Sequence, residues 1–568
     1  KALKKQPFFG FFQEFPCQPT LKSHPRKNQS PFLPKFCRKL PLPKHFLFCY
    51  TNIIKRLTFP YFDWTPKGAW SSILGGSSEN MSVFSQKMQA LIQPRIDKGQ
   101  LTIYGLAQNS KIDRSSLYKF LNGERLPASL AVLNRLMEAL RLSPTQSSEL
   151  RTAYDISRMG EESYQRRRNT VEFLNDFNQY VDVHSLTPVP ILEPLPLPKE
   201  GAEVRSGILA VNSLVQSVVV AEATRPNGKI RVIAQPEYDF LIHSLSSLTL
   251  GRPCSIEHVI CLESDSPEGD NQYNLDCLRA VVELMLSNRD YKPYYYYDSI
   301  TSHFKNSNLL PYLVVTSECA LQISYNRNYA ICLRGEKYVS FFENLFDDAC
   351  KRSNLMISTL GTITENLQYY YHEFVNRQSS PRWSCSCNPY FILYIDRPLL
   401  EKYLCDSPNR EEIVQAFLHY QNYWGSLAQE KTPYIGYFTR EGVEYFCRTG
   451  RLWHTPDSIY APLEPRDRWE VLRRFCEDTN PSCTRLLLRE PSVSFSSRLE
   501  ITSFWDGSIA FSYELSPNKY AILFLYEKSL SACFDDLFSY LMEGNLVCTL
   551  SETKAYLRQK MDELEKTF

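Results

Sequence analysis

Two stretches of this chain, 188 to 192 residues apart, carry the same succession of residue types. The first runs Leu321-Gln322-Ile323-Ser324, Tyr329-Ala330-Ile331, Glu336-Lys337, then Phe342 and Leu345-Phe346. The second runs Ile509-Ala510-Phe511-Ser512, Tyr520-Ala521-Ile522, Glu527-Lys528, then Phe534 and Leu537-Phe538. Each copy reads as a two-stranded hairpin followed by a helix, and Asp506-Gly507 is a strong turn signal at the start of the second. A unit repeated at that spacing constrains the chain to a duplicated body, with the cleft between halves as its natural ligand site. Ahead of the first copy, strands at 229–234, 256–262 and 291–297 alternate with helices at 237–248 and 275–286. That alternation is the mark of an α/β, or α+β, layered body. The expected division is a first repeat over 201–355 and a second, with a C-terminal helix, over 356–568.

The formal net charge of +2 conceals a strong asymmetry: residues 1–80 carry +10, residues 81–170 about +6, and residues 171–568 about −14. A basic front on an acidic body points to an anionic partner for the front. Residues 1–80 hold 10 of the 35 prolines and 11 of the 33 phenylalanines and keep no helical or strand period. They read either as a disordered basic arm on nucleic-acid phosphates or as a spurious extension ahead of a true start at Met81. The second is favoured, because so much phenylalanine and cysteine is unusual in a functional arm. Seventeen cysteines form an odd number with no Cys-x-x-Cys and lie mostly in apolar runs, the usage expected of free thiols in a reducing, cytoplasmic setting. Cys385 and Cys387 with His372 or His419 form the one weak zinc candidate. The longest apolar run, Ile208 to Val220, is interrupted by Asn212, Ser213, Gln216 and Ser217, so no transmembrane helix is expected. The N-terminal residues lack a continuous apolar h-region and a small-residue cleavage site, so no signal peptide is expected.

From Met81 the pattern becomes periodic and helical. A helix is expected over 85–96, a second over 103–110 capped by Thr102, and a third over 114–122 capped by Asp113. Gly123 stands where a helix C-cap wants a residue tolerant of positive φ. A fourth helix follows Pro127 with Leu130, Leu133, Leu136, Met137 and Leu140 as its buried stripe. A fifth runs from Ser143-Pro144 to about Tyr154. Ala107 is small where the third helix must cross the second, and Ile112, Leu117 and Phe120 fall at core positions. Arg114, Ser115, Ser116, Tyr118, Lys119 and Asn122 are left outward. Such a face offers donors to base edges and cations to phosphates.

The segment LTIYGLAQNSKIDRSSLYKFLNGERLP, residues 101–127, with the two helices after it, resembles the lambda repressor-like (Cro-type) helix-turn-helix family. The resemblance covers about 75 residues and implies an all-α, five-helix head over 81–155 that binds double-stranded DNA. In that family the start of the third helix contacts bases, which falls on Arg114, Ser115 and Tyr118. The turn after it holds a phosphate contact, which falls on Asn122, and Thr102 matches the capping position that lies on the DNA backbone. The sequence departs from the family at Lys111, where a turn glycine is usual, at Ile103, where a glutamine is usual, and at Ser110, where a hydrophobe is usual. Ile103 cannot make the usual phosphate bond.

Downstream, Glu161 to Val181 reads as a connecting helix, followed by a spacer with Pro188, Pro190, Pro194, Pro196 and Pro198. Arg166-Arg167-Arg168 reads as a solvated helix face or, being near the head, a phosphate clamp. The tyrosine runs 294–297 and 369–371 read as alternating strand faces or a stacking pocket. No phosphate loop, Gly-x-Ser-x-Gly or His-Glu-x-x-His is present. His303-Phe304-Lys305 begins like a phospholipase D signature, but Leu310 stands at the aspartate position. The expected function is a bacterial-type transcriptional regulator, not an enzyme, acting as a homodimer on DNA without cofactor or metal. Its body would serve as a sensor for an unknown small-molecule effector or as an oligomerisation unit. Two alternatives remain: a scaffold whose head docks a protein partner, and a degenerate phospholipase D-like enzyme, a two-lobed body by fold analogy, fused to a DNA-binding head.

Overall fold

A computed structural model describes residues 81–568 apart from 182–190, 194–195, 265–270, 289, 302–307, 363–378, 407–409, 430–432, 453–454, 456–458, 481, 490–495, 517–518 and 544–545. Residues 1–80, Pro188, Pro190, Pro194, His303-Phe304-Lys305, Tyr369–Tyr371 and His372 thus lie outside the described residues.

Five helices open the described chain: α1 (Val83–Asp97), α2 (Ile103–Ser110), α3 (Arg114–Asn122), α4 (Leu130–Ala139) and α5 (Pro144–Met159). Their apolar stripes close on one core containing Phe84, Met88, Leu106, Leu117, Phe120, Leu133, Leu136, Leu150 and Tyr154. Side-chain caps start each of them, and α5 has a full capping box in which Ser143 and Gln146 bond each other's backbone N–H. α5 runs on past Tyr154 to Gly160, whose positive φ of 88° breaks it from α6 (Glu161–Val181).

The body is mixed α/β and contains two mixed sheets. The first half comprises β1 (Gly201–Ser206), α7 (Ile208–Ala223), β2 (Gly228–Ile233), α8 (Asp239–Thr249), β3 (Cys254–Glu263) and α9 (Gln272–Ser287). It continues through β4 (Tyr291–Asp298), β5 (Tyr312–Val315), β6 (Cys319–Ile323), β7 (Tyr329–Arg334), α10 (Glu336–Lys351) and β8 (Asn354–Leu355). The second half comprises β9 (Ile357–Thr362), β10 (Pro381–Ser386), α11 (Arg397–Tyr403), α12 (Arg410–Gln429), β11 (Tyr434–Phe438), α13 (Arg440–Thr449) and α14 (Pro465–Glu477). It ends with β12 (Cys483–Leu487), β13 (Leu499–Phe504), β14 (Ile509–Ser516), β15 (Lys519–Leu525), α15 (Lys528–Glu543) and α16 (Leu550–Glu565).

The strand order of the first sheet is β1-β7-β6-β5-β2-β3-β4-β8, and that of the second, read the same way, is β9-β15-β14-β13-β10-β11-β12. In both, three parallel strands carry an antiparallel meander, and the first strand of the half pairs antiparallel with the last strand of that meander. The hairpins and helices β6-β7-α10 and β14-β15-α15 hold the repeated sequence motifs. Gly507 takes φ +81° in the tight turn between β13 and β14.

α7 occupies the interrupted apolar run, and the interruptions are satisfied polar groups. Asn212 accepts from the Tyr238 hydroxyl at 3.1 Å, and the Gln216 side-chain oxygen accepts from the Leu192 N–H at 3.0 Å. Among the described residues no helix is long and apolar enough to cross a membrane.

The seam between the halves is packed: one continuous apolar core crosses it, from Ile230, Val232, Ile256 and Leu321 to Trp383, Tyr437, Ile501 and Phe511. α6 is more than a connector, because it packs against both α9 and α15. It inserts Phe173 and Phe177, with ring centroids 5.6 to 6.3 Å from those of Phe511, Tyr513 and Phe534. An apolar helix face next to two sheet faces fills the gap because the area removed from water is large.

Candidate nucleic-acid interface

The candidate surface is built by α2, the turn after it and α3. Thr102 caps α2 by accepting from the Gly105 N–H at 3.1 Å. α2 ends on Lys111 in the left-handed region (φ 54°), and its N–H reaches back to the carbonyls of Ala107 and Gln108. A non-glycine residue holds this conformation at modest cost. Ile112 is then buried, which fixes where α3 begins.

Asp113 caps α3: one carboxylate oxygen accepts from the Ser116 N–H at 2.8 Å and the other from the Ser116 hydroxyl at 2.6 Å. Those bonds hold the Asp113 carboxyl below its usual range. Leu117 and Phe120 anchor the inner face of α3. α1 secures its far end, because the Ser85 hydroxyl donates to the Phe120 carbonyl at 2.6 Å and the Gln89 amide to the Leu121 carbonyl at 2.8 Å. Gly123, at φ 80°, terminates the helix.

The expected outward residues divide into two groups. Arg114, Ser115, Tyr118, Lys119 and Asn122 are exposed on α3, with Thr102 exposed at the start of α2. Ser116 is half-buried and its hydroxyl is committed to the Asp113 cap, which corrects its assignment to the contact face. Its pattern, an Asp three residues ahead of a Ser at a helix start, is itself a capping signal.

One residue of this surface was missed. Tyr104 on α2 is 58% exposed, the Arg114 guanidinium lies 5.9 Å from its ring centroid, and the Gln108 amide donates to its hydroxyl at 2.9 Å. The i, i+4 spacing of Tyr104 and Gln108 was the legible cue. The five-helix segment 81–155 carries ten Lys and Arg against six Asp and Glu, so the surface sits on a mildly basic unit.

Arg166-Arg167-Arg168 divides: Arg166 and Arg167 turn to the body, while Arg168 stays on an exposed face of α6. Arg167 makes a two-pronged ion pair with Asp536 of α15, at 2.9 and 2.8 Å, and its guanidinium lies 4.5 Å from the Tyr540 ring centroid. Arg166 reaches the same carboxylate at 3.5 Å, while Arg168 pairs with Glu172 at 2.8 Å. The Tyr540 hydroxyl donates to Asp155 of α5 at 3.5 Å, and burial raises the Asp155 carboxyl. An anion supplied by the body therefore already engages Arg166 and Arg167.

Among the described residues the other body candidates do not assemble into a centre. Cys385 and Cys387 are buried, Cys387 lies 3.1 Å from the Thr439 hydroxyl, and His419 is on an exposed face of α12. Among the described residues no group of three His, Cys, Asp or Glu could hold a metal ion. Tyr294 to Tyr297 alternate along β4, with Tyr295 buried and Tyr297 donating across the seam to Glu527. Glu527 in turn accepts from the N–H groups of Ser529 and Leu530, at 2.8 and 2.7 Å, at the start of α15.

No protein-family model matches the chain, and no curated protein matches it. Among solved structures, a polyphosphate kinase from Porphyromonas gingivalis aligns at 11% identity and a TM-score of 0.19, over 66% of this chain and 62% of that one. This chain therefore spans less than two thirds of that kinase. A phosphatidylserine synthase from Haemophilus influenzae Rd KW20 aligns at 11% identity and a TM-score of 0.21, over 70% and 97% of the two chains. An archaeal chromatin protein aligns at 11% identity and a TM-score of 0.17, over 48% and 99%. Likenesses this small define no shared fold.

Proposed function

We propose that this chain is a sequence-specific DNA-binding transcriptional regulator. Residues 81–155 are its lambda repressor-like helix-turn-helix head, and the body is a sensor or oligomerisation unit made of two copies of one α/β lobe. The observation that carries the reading is the outward face of α3. Arg114, Ser115, Tyr118, Lys119 and Asn122 stand exposed on a helix whose start, inner face and end are each fixed by caps and packing. Donors on a rigid helix can be presented to base edges, while Lys119, Asn122 and Thr102 engage phosphates. One head buries too little surface for tight site-specific binding. Two heads on half-sites a helical turn apart supply the rest, so the regulator acts as a homodimer. A small-molecule effector bound by the body would act by changing how the heads are held. The attachment of α6 to α15 through Arg167 and Asp536 offers a route for that coupling.

The test is enrichment of a genomic DNA library by the full chain at two salt concentrations, beside an Arg114→Ala, Lys119→Ala variant. The expected result is a defined motif whose enrichment the double substitution abolishes, with affinity falling as salt rises. Loss of the Lys119 phosphate contact alone should lower the salt slope by about 1. No motif at low salt, with the fold intact, would overturn the reading and favour a head that docks a protein through Tyr104 and Tyr118.

A further inference from the structure

Strand β1 stands at the end of the first sheet, and among the described residues nothing pairs with its outer edge. Its counterpart in the second half, β9, is placed differently. β8 and β9 are separated only by Met356, so the chain steps from the edge of the first sheet beside β4 directly into the edge of the second. The opposite rim of the second sheet, β12, is covered as well, because Leu488 bridges to Val547 and the Leu487 carbonyl accepts from the Cys548 N–H at 2.7 Å. An uncovered strand edge is a template for another strand.

We propose that the outer edge of β1 is the seam of a two-fold homodimer, in which β1 pairs antiparallel with β1 of a second copy about Val204. This deepens the dimer of the proposed function by naming the surface that would join two heads. The sequence of β1, Gly201-Ala202-Glu203-Val204-Arg205-Ser206, selects the register. With the axis on Val204, Glu203 faces Arg205 of the second copy, Arg205 faces its Glu203, and Ala202 faces its Ser206. An axis on Glu203 or Arg205 sets like charges opposite each other, and an axis between residues never sets Glu203 opposite Arg205.

Glu203 and Arg205 lie on one side of the strand and already pair with each other within the chain. The dimer turns that pair into a ring of four alternating charges, and cross-strand pairs of opposite sign stabilise a sheet. On the other side, Val204 is 62% exposed, and its partner in register is Ile331 of β7. Tyr329 of β7 is 55% exposed, and Leu209, in the first turn of α7 just after β1, is 75% exposed. Charges on an edge strand ordinarily block pairing. Here their order, acid-apolar-base, is the one that pairs with itself.

The test is sedimentation velocity on the full chain without DNA, over a range of concentrations. Wild type is expected to be a reversible dimer. Glu203→Arg alone and Arg205→Glu alone should each weaken it at least about tenfold, because two like-charge pairs replace two opposite ones. Mixing these two variants should restore a dimer, since every charge then faces its opposite across the seam although neither chain keeps its internal pair. A wild-type chain that stays monomeric, single variants as dimeric as wild type, or a mixture that stays monomeric would each overturn the proposal. The assay contains no DNA, so its failure leaves the reading of the head untouched, and a failed enrichment leaves the seam untouched.

Discussion

The two halves of the body share a strand order and a repeated helix, yet the helix has a different fate in each. At an offset of 192 residues, Phe342 and Phe346 of α10 correspond to Phe534 and Phe538 of α15, and all four are buried against their sheets. The next face differs: Leu345 is 47% exposed where Leu537 is 2% exposed, and Phe341 is exposed where Cys533 is buried. The repeat sets which residues meet the sheet. What covers the remaining face is set elsewhere, because α6 lies on α15 and no described helix takes that place on α10.

The largest expected effect follows from that difference. Leu537→Ala removes a side chain from the core at the seam and should cost about 2–5 kcal/mol, read from the midpoint of urea denaturation. Leu345→Ala, the equivalent truncation in α10, should stay within about 1 kcal/mol, as substitutions at exposed positions do. Equal costs would mean that the outer face of α10 is covered, and would break the comparison.

An effect of comparable size comes from one buried ionisable group in each half, with opposite signs. His258 on β3 is fully buried, its ring nitrogens lying 2.8 Å from the Tyr291 hydroxyl and 3.1 Å from the Ala234 carbonyl, and burial pushes it down to about 4. The unfolded chain takes up a proton there first. The contribution of His258 is therefore whole above pH 6.5 and is lost as pH falls toward 4. Glu500 on β13 is pushed up to about 8 by burial. The folded state holds that proton, so its contribution is whole below pH 4.5 and is lost as pH rises toward 8. The ceilings are about 3 kcal/mol for His258 and about 5 kcal/mol for Glu500. Glu500→Gln should flatten the alkaline limb of a stability–pH curve and leave the acid limb alone. A slope between pH 4.5 and about 8 as steep as that of wild type would refute the assignment.

Much of this was legible in the sequence because its signals are local. Asp113, Thr102 and Gly123 punctuate α2 and α3 within a few residues, so both helices fall where capping and period put them, 103–110 and 114–122. The strands and helices between 228 and 298 were legible for the same reason, as apolar runs bounded by turns. The errors came from partners distant in the chain or from bonds that compete for a side chain. Asp536, some 370 residues downstream, claims Arg166 and Arg167. The aromatic side chains that receive Phe173 and Phe177 are equally remote. Ser116 looked available because its spacing fits the outward face, but the nearer Asp113 carboxylate takes its hydroxyl. β1 went unread because six residues with one β-branched side chain carry little strand signal.

The smallest effect sharpens the comparison at one equivalent position. Asp536 of α15 corresponds to Asn344 of α10, which is exposed and donates to the Ser340 carbonyl of its own helix at 2.8 Å. Asp536 instead receives Arg166 and Arg167 of α6, with its side chain 23% exposed. Asp536→Asn keeps the shape but removes the carboxylate charge that Arg166 and Arg167 share. Because the site is partly open to solvent, the cost should be about 1 kcal/mol. It should be local, appearing as faster amide hydrogen exchange in α6 around residues 166–170 while α10 keeps its rate. Asn344→Ala should change neither helix. If Asp536→Asn leaves exchange in α6 unchanged, packing of Phe173 and Phe177 alone holds the head to the second half, and the ion pair is incidental to that attachment.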